Sequence, residues 1–159
     1  MSINKKFYYN KFYRSVDGVY SSFWFGKFIN IFASEGKKQV VDKQFEHVLA
    51  ISKIQFSKLP LLVFLEGLVA VKPIFNLGII VSRGKERQFP KLLKKSQQFN
   101  LAIQWVHKLA SDRKDWYLGQ RIFSEIVDMT QNKKYVLFQR RDKIFKVTIK
   151  NRSNIRYSR

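Results

Sequence analysis

The amino-acid sequence predicts a mainly α-helical fold, with a bundle of five to six helices, one protruding β-hairpin and basic extensions at both ends. Three observations lead to this prediction. Apolar residues recur at helical spacing over most of residues 22–130. One central segment changes to β-branched residues around an Arg-Gly turn signal. The 159 residues are 45% apolar, which suits one domain with a core of its own.

Three helices are expected before the hairpin. The first presents three aromatic residues on one face: Phe25, Phe28 and Phe32. Gly36 ends this helix, and a longer one follows over about 38–55. Its predicted buried face consists of Val41, Phe45, Val48, Leu49 and Ser52. Pro60 suits the first position of a third helix, and Pro73 ends that helix.

Residues 74–93 predict the β-hairpin. Ile74–Val81 is rich in β-branched residues, and Arg83-Gly84 is a turn signal. The tip, from Ser82 to Arg87, is basic. A basic ribbon can follow a line of phosphates, and each neutralised phosphate releases counterions. Together with the net charge, this favours nucleic-acid binding over a tip that is merely solvated.

Two further helices and one ambiguous segment follow the hairpin. The residues expected in the core of the whole domain are Leu61, Phe64, Phe99, Ile103, Val106, Ile122 and Ile126. A polar break at 112–115 separates the two helices. In the basic C-terminal segment 131–159, Phe145, Val147 and Ile149 alternate with polar residues. This local pattern alone predicts a second hairpin around Arg141-Asp142.

The charge of the chain is strongly basic and unevenly distributed. Lys and Arg number 31 against 11 Asp and Glu, a net charge of +20. Residues 101–130 are neutral overall, whereas 131–159 carry ten basic side chains and one acidic, and 73–100 carry six and one. Because such an excess repels itself in a compact fold, it favours a polyanionic partner, with nucleic acid first.

Residues 1–16 are interpreted as a basic aromatic arm that precedes a domain spanning 17–159. The aromatic residues of the arm stand among lysines, where they can stack on unpaired bases or pack against protein. The composition is rich in aromatic residues throughout, which favours packing.

Composition also excludes several kinds of site. There is no Cys, so disulfides, thiolate zinc sites and a Cys nucleophile are excluded. His47 and His107 have no Ser, Cys or acidic constellation nearby in sequence, so we expect no enzyme activity, metal or cofactor. Charged residues and prolines interrupt the apolar stretch Leu59–Val81, so it lacks the roughly 20 residues that a membrane span needs.

Four short segments in a fixed order carry a resemblance to a known family. Lys27–Lys38 reads KFINIFASEGKK, Gln88-Phe89-Pro90 follows the hairpin turn, Leu101–Trp105 reads LAIQW, and Asn151-Arg152 lies near the end. These segments resemble the signatures of the small-subunit ribosomal protein seven family. The resemblance covers roughly residues 17–159, and several motifs in one order are far more specific than any one of them.

The resemblance implies a helical domain with a protruding hairpin and a helical final segment. It implies a structural, non-enzymatic constituent of the small ribosomal subunit. Such a protein binds the 3′ major domain of small-subunit rRNA, organises head assembly, and lies near the mRNA exit channel and exit-site tRNA. The implied neighbours are head proteins of families nine, eleven, thirteen and nineteen. This chain departs from the family at Ile80-Val81, where the family has a basic pair, and at Arg83, where it has Gly.

The resemblance and the charge together give the expected site residues. Lys37 and Lys38 match the RNA-facing Lys pair of the family by position. The full set expected to contact rRNA is Lys27, Asn30, Lys37, Lys38, Lys72, Lys91, Arg140, Arg141, Lys143, Lys146, Asn151, Arg152 and Arg156. The hairpin residues expected near exit-site tRNA and mRNA are Arg83, Gly84, Lys85 and Arg87.

The expected location is the mitochondrial matrix, in the small subunit of the mitochondrial ribosome, rather than a plastid or the bacterial cytoplasm. The departures from the family and a residue usage typical of A+T-rich coding sequence favour this location, and residues 1–14 do not resemble a secretory or transit signal. The alternative function is a DNA-binding or nucleoid-type protein that uses the basic ribbon as a groove reader.

Overall fold

A computed structural model describes residues 23–33, 35–82, 84–132 and 134–157. This part of the chain forms six α-helices and one antiparallel hairpin, which confirms the predicted fold class. The elements in order are α1 (Phe23–Phe32), α2 (Lys38–Phe56), α3 (Pro60–Val71), β1 (Phe75–Ser82), β2 (Lys85–Leu92), α4 (Lys95–Asp112), α5 (Leu118–Gln131), α6 (Val136–Lys150) and a 3₁₀ helix (Arg152–Tyr157). The predicted arm over 1–16 lies outside the described residues.

The apolar core is built around three phenylalanine rings from the first three helices. Phe28, Phe45 and Phe64 are fully buried, and their ring centroids lie 4.8 to 5.6 Å apart. The rings meet at tilted or edge-on angles, an arrangement that aromatic pairs prefer. The predicted core residues are all buried except Phe99, which is half-buried and packs on the edge of the core.

The ends of the first three helices follow the predicted signals. Glu35 and Gly36 have φ of 53° and 74°, a left-handed turn that separates α1 from α2. Pro60 occupies the first position of α3, where its missing N–H costs nothing. Lys72 follows α3 in an extended conformation, because the residue before a proline is excluded from helical geometry.

The predicted hairpin is confirmed, with a register that leaves a two-residue loop. Ser82 pairs with Lys85, and Phe75 pairs with Leu92 at the other end of the ribbon. Gly84 in the loop has a φ of 71°, which glycine adopts readily. Arg83 lies outside the described residues.

The segment Val136–Lys150 is a helix, so the second hairpin expected around Arg141-Asp142 from local pattern is wrong. The helical final segment implied by the family resemblance is confirmed. The residues of α6 that turn inward are Leu137, Arg141, Ile144 and Thr148, at helical spacing. A charged residue and a threonine occupy this inward stripe, so the helical period is invisible in the hydrophobic pattern. Packing against the rest of the domain therefore outweighs local propensity.

A buried polar network anchors the start of α6. The Tyr135 hydroxyl donates to Glu125 Oε2, and Arg113 donates from Nε to Glu125 and from Nη2 to Asp128. Glu125 is only 2% exposed, so its charge is matched inside the fold. Burial, followed by the hydrogen bond to Glu125, raises the pKa of Tyr135, which keeps the hydroxyl protonated as a donor. The sequence indicated only a polar break at 112–115.

Within the described ranges, no single helix is long and apolar enough to span a membrane. Helices α2 and α3 pass that test only as a pair, and they are bent by 91° relative to each other.

Candidate nucleic-acid interface

The two faces of the hairpin differ in chemistry. Side chains alternate across a strand, so Lys85, Arg87 and Lys91 of β2 lie on one face, and all three are exposed. The other face presents Ile79, Val81 and Leu92, each more than 60% exposed. On the basic face, the Phe89 ring packs directly over Gly78, where a side chain would meet ring atoms at 2.4 Å. The cations of the two described strands therefore lie on one side of the hairpin.

The C-terminal segment packs against the base of this hairpin. Asn154 Nδ2 donates to the Gln88 carbonyl at 2.9 Å, and the rings of Phe75 and Phe145 lie 6.5 Å apart. The 3₁₀ helix contacts β2, and α6 contacts β1. Asn151 is half-buried in the turn between α6 and the 3₁₀ helix, and its N–H donates to the Val147 carbonyl at 3.0 Å. The fold thus brings together the two segments that hold most of the excess charge, 73–100 and 131–159.

The cations of this C-terminal segment do not all face the same way. Arg140, Lys143, Lys146, Arg152 and Arg156 are exposed. We name the predicted site residues among the exposed cations of the hairpin and of the C-terminal segment the basic surface: Lys85, Arg87, Lys91, Arg140, Lys143, Lys146, Arg152 and Arg156.

Arg141 differs from the other predicted cations of α6 because its side chain is half-buried and reaches across to α3. Its Nη1 donates to the carbonyl of Ala70 on α3, and its guanidinium also pairs with Asp142 at 2.9 Å. The guanidinium lies 5.5 Å from the ring centroid of Phe138. In this structure Arg141 joins α6 to α3, whereas Arg140 is exposed, with its guanidinium 4.6 Å from the ring centroid of Trp105.

The predicted Lys37-Lys38 pair lies at the turn into α2. Lys37 Nζ contacts Glu35 at 2.7 Å, with both side chains about 70% exposed. An exposed ion pair of this kind contributes about 0–1 kcal/mol, so a phosphate group can compete with Glu35 for Lys37. Lys38 is half-buried at the first position of α2.

A third group of predicted residues lies around α1. Asn30 is exposed near the end of α1. Lys27 Nζ donates to Asn100 Oδ1 at 3.2 Å, which connects α1 to α4. Lys27 lies over the ring of Phe23, and Lys72 lies over the ring of Phe99. Neither contact was predicted from the sequence. Phe23 and Lys27 are four residues apart on one helix, and this spacing is the sequence signal that indicates a contact between them.

Comparisons with known proteins identify the family. A profile of the family described as ribosomal protein S7p/S5e matches residues 4–152. Small ribosomal subunit protein uS7 of Thermodesulfovibrio yellowstonii is 28% identical over 116 residues, which is 73% of this chain and 74% of the relative. The protein of the same name from Wigglesworthia glossinidia brevipalpis is 28% identical over 141 residues, 89% of this chain and 90% of the relative. The chain belongs to the ribosomal protein S7p/S5e family.

Proposed function

We propose that this protein is a structural, non-enzymatic constituent of the small ribosomal subunit that binds the 3′ major domain of small-subunit rRNA. Family membership and the names of the relatives support the ribosomal role. The observation that supports RNA binding most directly is the basic surface. It consists of exposed cations from two segments that are remote in sequence but in contact in the fold, where Asn154 donates to the Gln88 carbonyl.

The basic surface suits recognition of a folded RNA through its backbone better than sequence-specific recognition of bases. Its residues are lysines and arginines, whose side chains bind phosphate oxygens. The deep major groove of A-form RNA hides the base edges, so proteins recognise helical RNA mainly by shape and backbone. Binding also relieves the repulsion among the cations, because the phosphates supply the missing negative charge.

The same proposal places seven further residues on the rRNA-facing side of the protein, together with the basic surface. They are Lys27, Asn30, Lys37, Lys38, Lys72, Asn151 and Arg141. Arg141 contributes mainly by holding α6 in place. The tip of the hairpin, with Arg83, Gly84, Lys85 and Arg87, lies near exit-site tRNA and the mRNA exit channel. The neighbours in this proposal are the head proteins of families nine, eleven, thirteen and nineteen.

A titration over a salt series tests the RNA-binding proposal. The full-length protein is mixed with a transcript of the rRNA 3′ major domain, or with a DNA duplex of equal length. Because phosphate contacts release counterions, we expect RNA affinity to fall by orders of magnitude between about 50 and about 200 mM salt. We also expect the protein to co-sediment with the small subunit. A flat salt response contradicts the proposal, and tighter binding to DNA without co-sedimentation supports the nucleoid alternative.

The compartment is a separate part of the proposal. The A+T-type residue usage supports the mitochondrial ribosome. Ribosomes prepared from purified mitochondria and from the cytosolic fraction of the same cells should differ, with the protein found only in the mitochondrial small subunit. Recovery from a plastid or bacterial ribosome would show that the compartment is wrong while leaving the ribosomal role intact.

A further inference from the structure

An aromatic cluster lies where the starts of α1 and α4 approach the end of α3. Trp24 and Phe99 stack with ring centroids 4.5 Å apart and an angle of 23° between the planes. Phe23 meets Trp24 edge-on at 5.2 Å and is 65% exposed, so the outermost ring faces solvent. We name these three rings, Phe23, Trp24 and Phe99, the aromatic platform.

Two lysines are held over this platform. Lys27 Nζ lies 5.0 Å from the ring centroid of Phe23 and 5.7 Å from that of Trp24. Lys72 Nζ lies 4.9 Å from the ring centroid of Phe99. Within the part of the chain that the structure describes, neither lysine forms an ion pair with a carboxylate. Among the described residues, the platform therefore carries two ammonium groups that have no carboxylate partner.

The geometry prepares Lys27 for a further acceptor. An ammonium group has three N–H donors, and Lys27 uses one of them on Asn100 Oδ1. The contacts with Asn100 and the two rings limit the rotamers of this long side chain. A ligand that binds it therefore loses less side-chain entropy than at a freely moving lysine.

An exposed ring beside oriented cations suits a ligand that has both a flat π-system and a negative charge. A purely apolar partner would bury the two ammonium groups without a counter-charge, which is unfavourable. Inorganic phosphate would satisfy the lysines but leave the exposed Phe23 ring in water. An unpaired nucleotide satisfies both, since its base stacks on an aromatic ring and its phosphate contacts the ammonium.

We infer that the aromatic platform binds an unpaired nucleotide of the rRNA, with the base stacked on Phe23 and an adjacent phosphate at Lys27. The inference rests on the proposed rRNA-binding function. It adds a contact with a single-stranded position, whereas the basic surface contacts helical backbone.

Replacing the ring while keeping its apolar character tests the stacking contact. Phe23→Leu removes the aromatic face, and Phe23→Trp keeps one. Trp116→Leu is the matched control, because Trp116 is 86% exposed and lies in the near-neutral part of the chain. Each full-length protein is titrated with the 3′ major domain transcript over the same salt series, after thermal unfolding has shown that the variants fold.

We expect Phe23→Leu to weaken binding about tenfold at every salt concentration, as loss of one base–aromatic stack does. The salt slope should stay unchanged, because no charge is removed. Phe23→Trp and Trp116→Leu should bind like the wild type. Lys27→Gln should instead reduce the salt slope by about one, the signature of a lost phosphate contact.

Ultraviolet cross-linking of the intact small subunit provides a direct readout, with a nucleotide adduct expected on Phe23 or Trp24. If wild-type binding depends on salt but Phe23→Leu binds equally well and no adduct forms, the inference fails and the proposed function stands. If wild-type binding does not depend on salt, the proposed function itself fails. If Phe23→Leu leaves RNA affinity unchanged but weakens association with a neighbouring subunit protein, the platform is a protein-binding surface and the inference is wrong.

Discussion

Single residues determine where α6 begins. Glu125 is buried on α5, and its two oxygens accept from Tyr135 and Arg113. Burial lowers the pKa of Arg113, but its hydrogen bonds to Glu125 and Asp128 raise it overall, so the cation persists. A carboxylate at this depth is tolerated only because both partners are present, and Tyr135 is the residue that directly precedes α6.

Tyr135→Phe tests this network. The variant keeps the ring and removes the donor, which leaves one buried oxygen of Glu125 without its partner. We expect the free energy of unfolding to fall by about 1–3 kcal/mol, the usual cost of a buried polar group that loses its hydrogen bond. Urea denaturation of the RNA-free protein measures it. Tyr117→Phe is the control, because Tyr117 is 65% exposed, and equal effects of the two substitutions would show that the network contributes nothing.

The pH dependence of the same network has a definite sign. The pKa of Tyr135 is higher in the folded state than its ordinary value of 10.0. The stabilisation from this group is therefore complete below pH 10.0 and decreases as the pH rises above it. Unfolding curves at increasing alkaline pH should show the wild type losing more stability than Tyr135→Phe. A constant difference between the two proteins across this range would contradict the assignment.

At the scale of the element, α6 has one face that builds the fold and one that is free to contact a partner. Arg141 reaches the Ala70 carbonyl on α3, and Ile144 packs against the core. Lys143 and Lys146 are exposed on the same helix. Neighbouring positions with similar charge therefore have different physical roles.

Arg141→Gln and Lys143→Gln separate these roles, since each removes one positive charge from α6. We expect Arg141→Gln to lower the free energy of unfolding by about 1–3 kcal/mol, through the lost charge-assisted hydrogen bond. Lys143→Gln should leave stability within about 0.5 kcal/mol of the wild type, as surface substitutions usually do. In RNA titrations Lys143→Gln should reduce the salt slope by about one. If the two variants exchange these effects, the orientation of α6 is wrong.

At the scale of the whole molecule, an apolar core lies beneath a surface that carries a large excess of positive charge. The described helices surround one core, while the exposed cations of the hairpin and C-terminal segment have few acidic neighbours in sequence. The net charge of +20 opposes compactness in the free protein and is compensated when phosphates surround it.

The free protein should therefore gain stability from salt and from RNA by different routes. Thermal unfolding followed by circular dichroism should show a higher Tm as salt rises, because screening weakens the repulsion. At low salt, the rRNA transcript at 100 times its Kd should add about 2.7 kcal/mol by mass action. A Tm that falls with added salt would show that charge repulsion does not limit the stability of the fold.

The sequence predicted what depends on local spacing and missed what depends on distant contacts. The spacing of Phe25, Phe28 and Phe32 predicted their burial, because one apolar stripe on a helix has to face the core. The helix α6 was missed by local pattern because Arg141 stands in its inward stripe. The aromatic platform was missed because Trp24 and Phe99 meet only in the folded chain. The predicted site residues are mostly exposed, and their contacts with rRNA stay a prediction.

The hydrogen bond between Asn154 and Gln88 has a consequence for the order of events during synthesis. Its partners are separated by 66 residues, and the 3₁₀ helix that carries Asn154 is the last described element to be made. The hairpin can pair its strands early, but its base receives α6 and the 3₁₀ helix only after those residues have left the ribosome that makes them. The basic surface is therefore complete only after Arg156 has been made, so a chain that stops before the 3₁₀ helix lacks the full set of contacts with which to compete for rRNA.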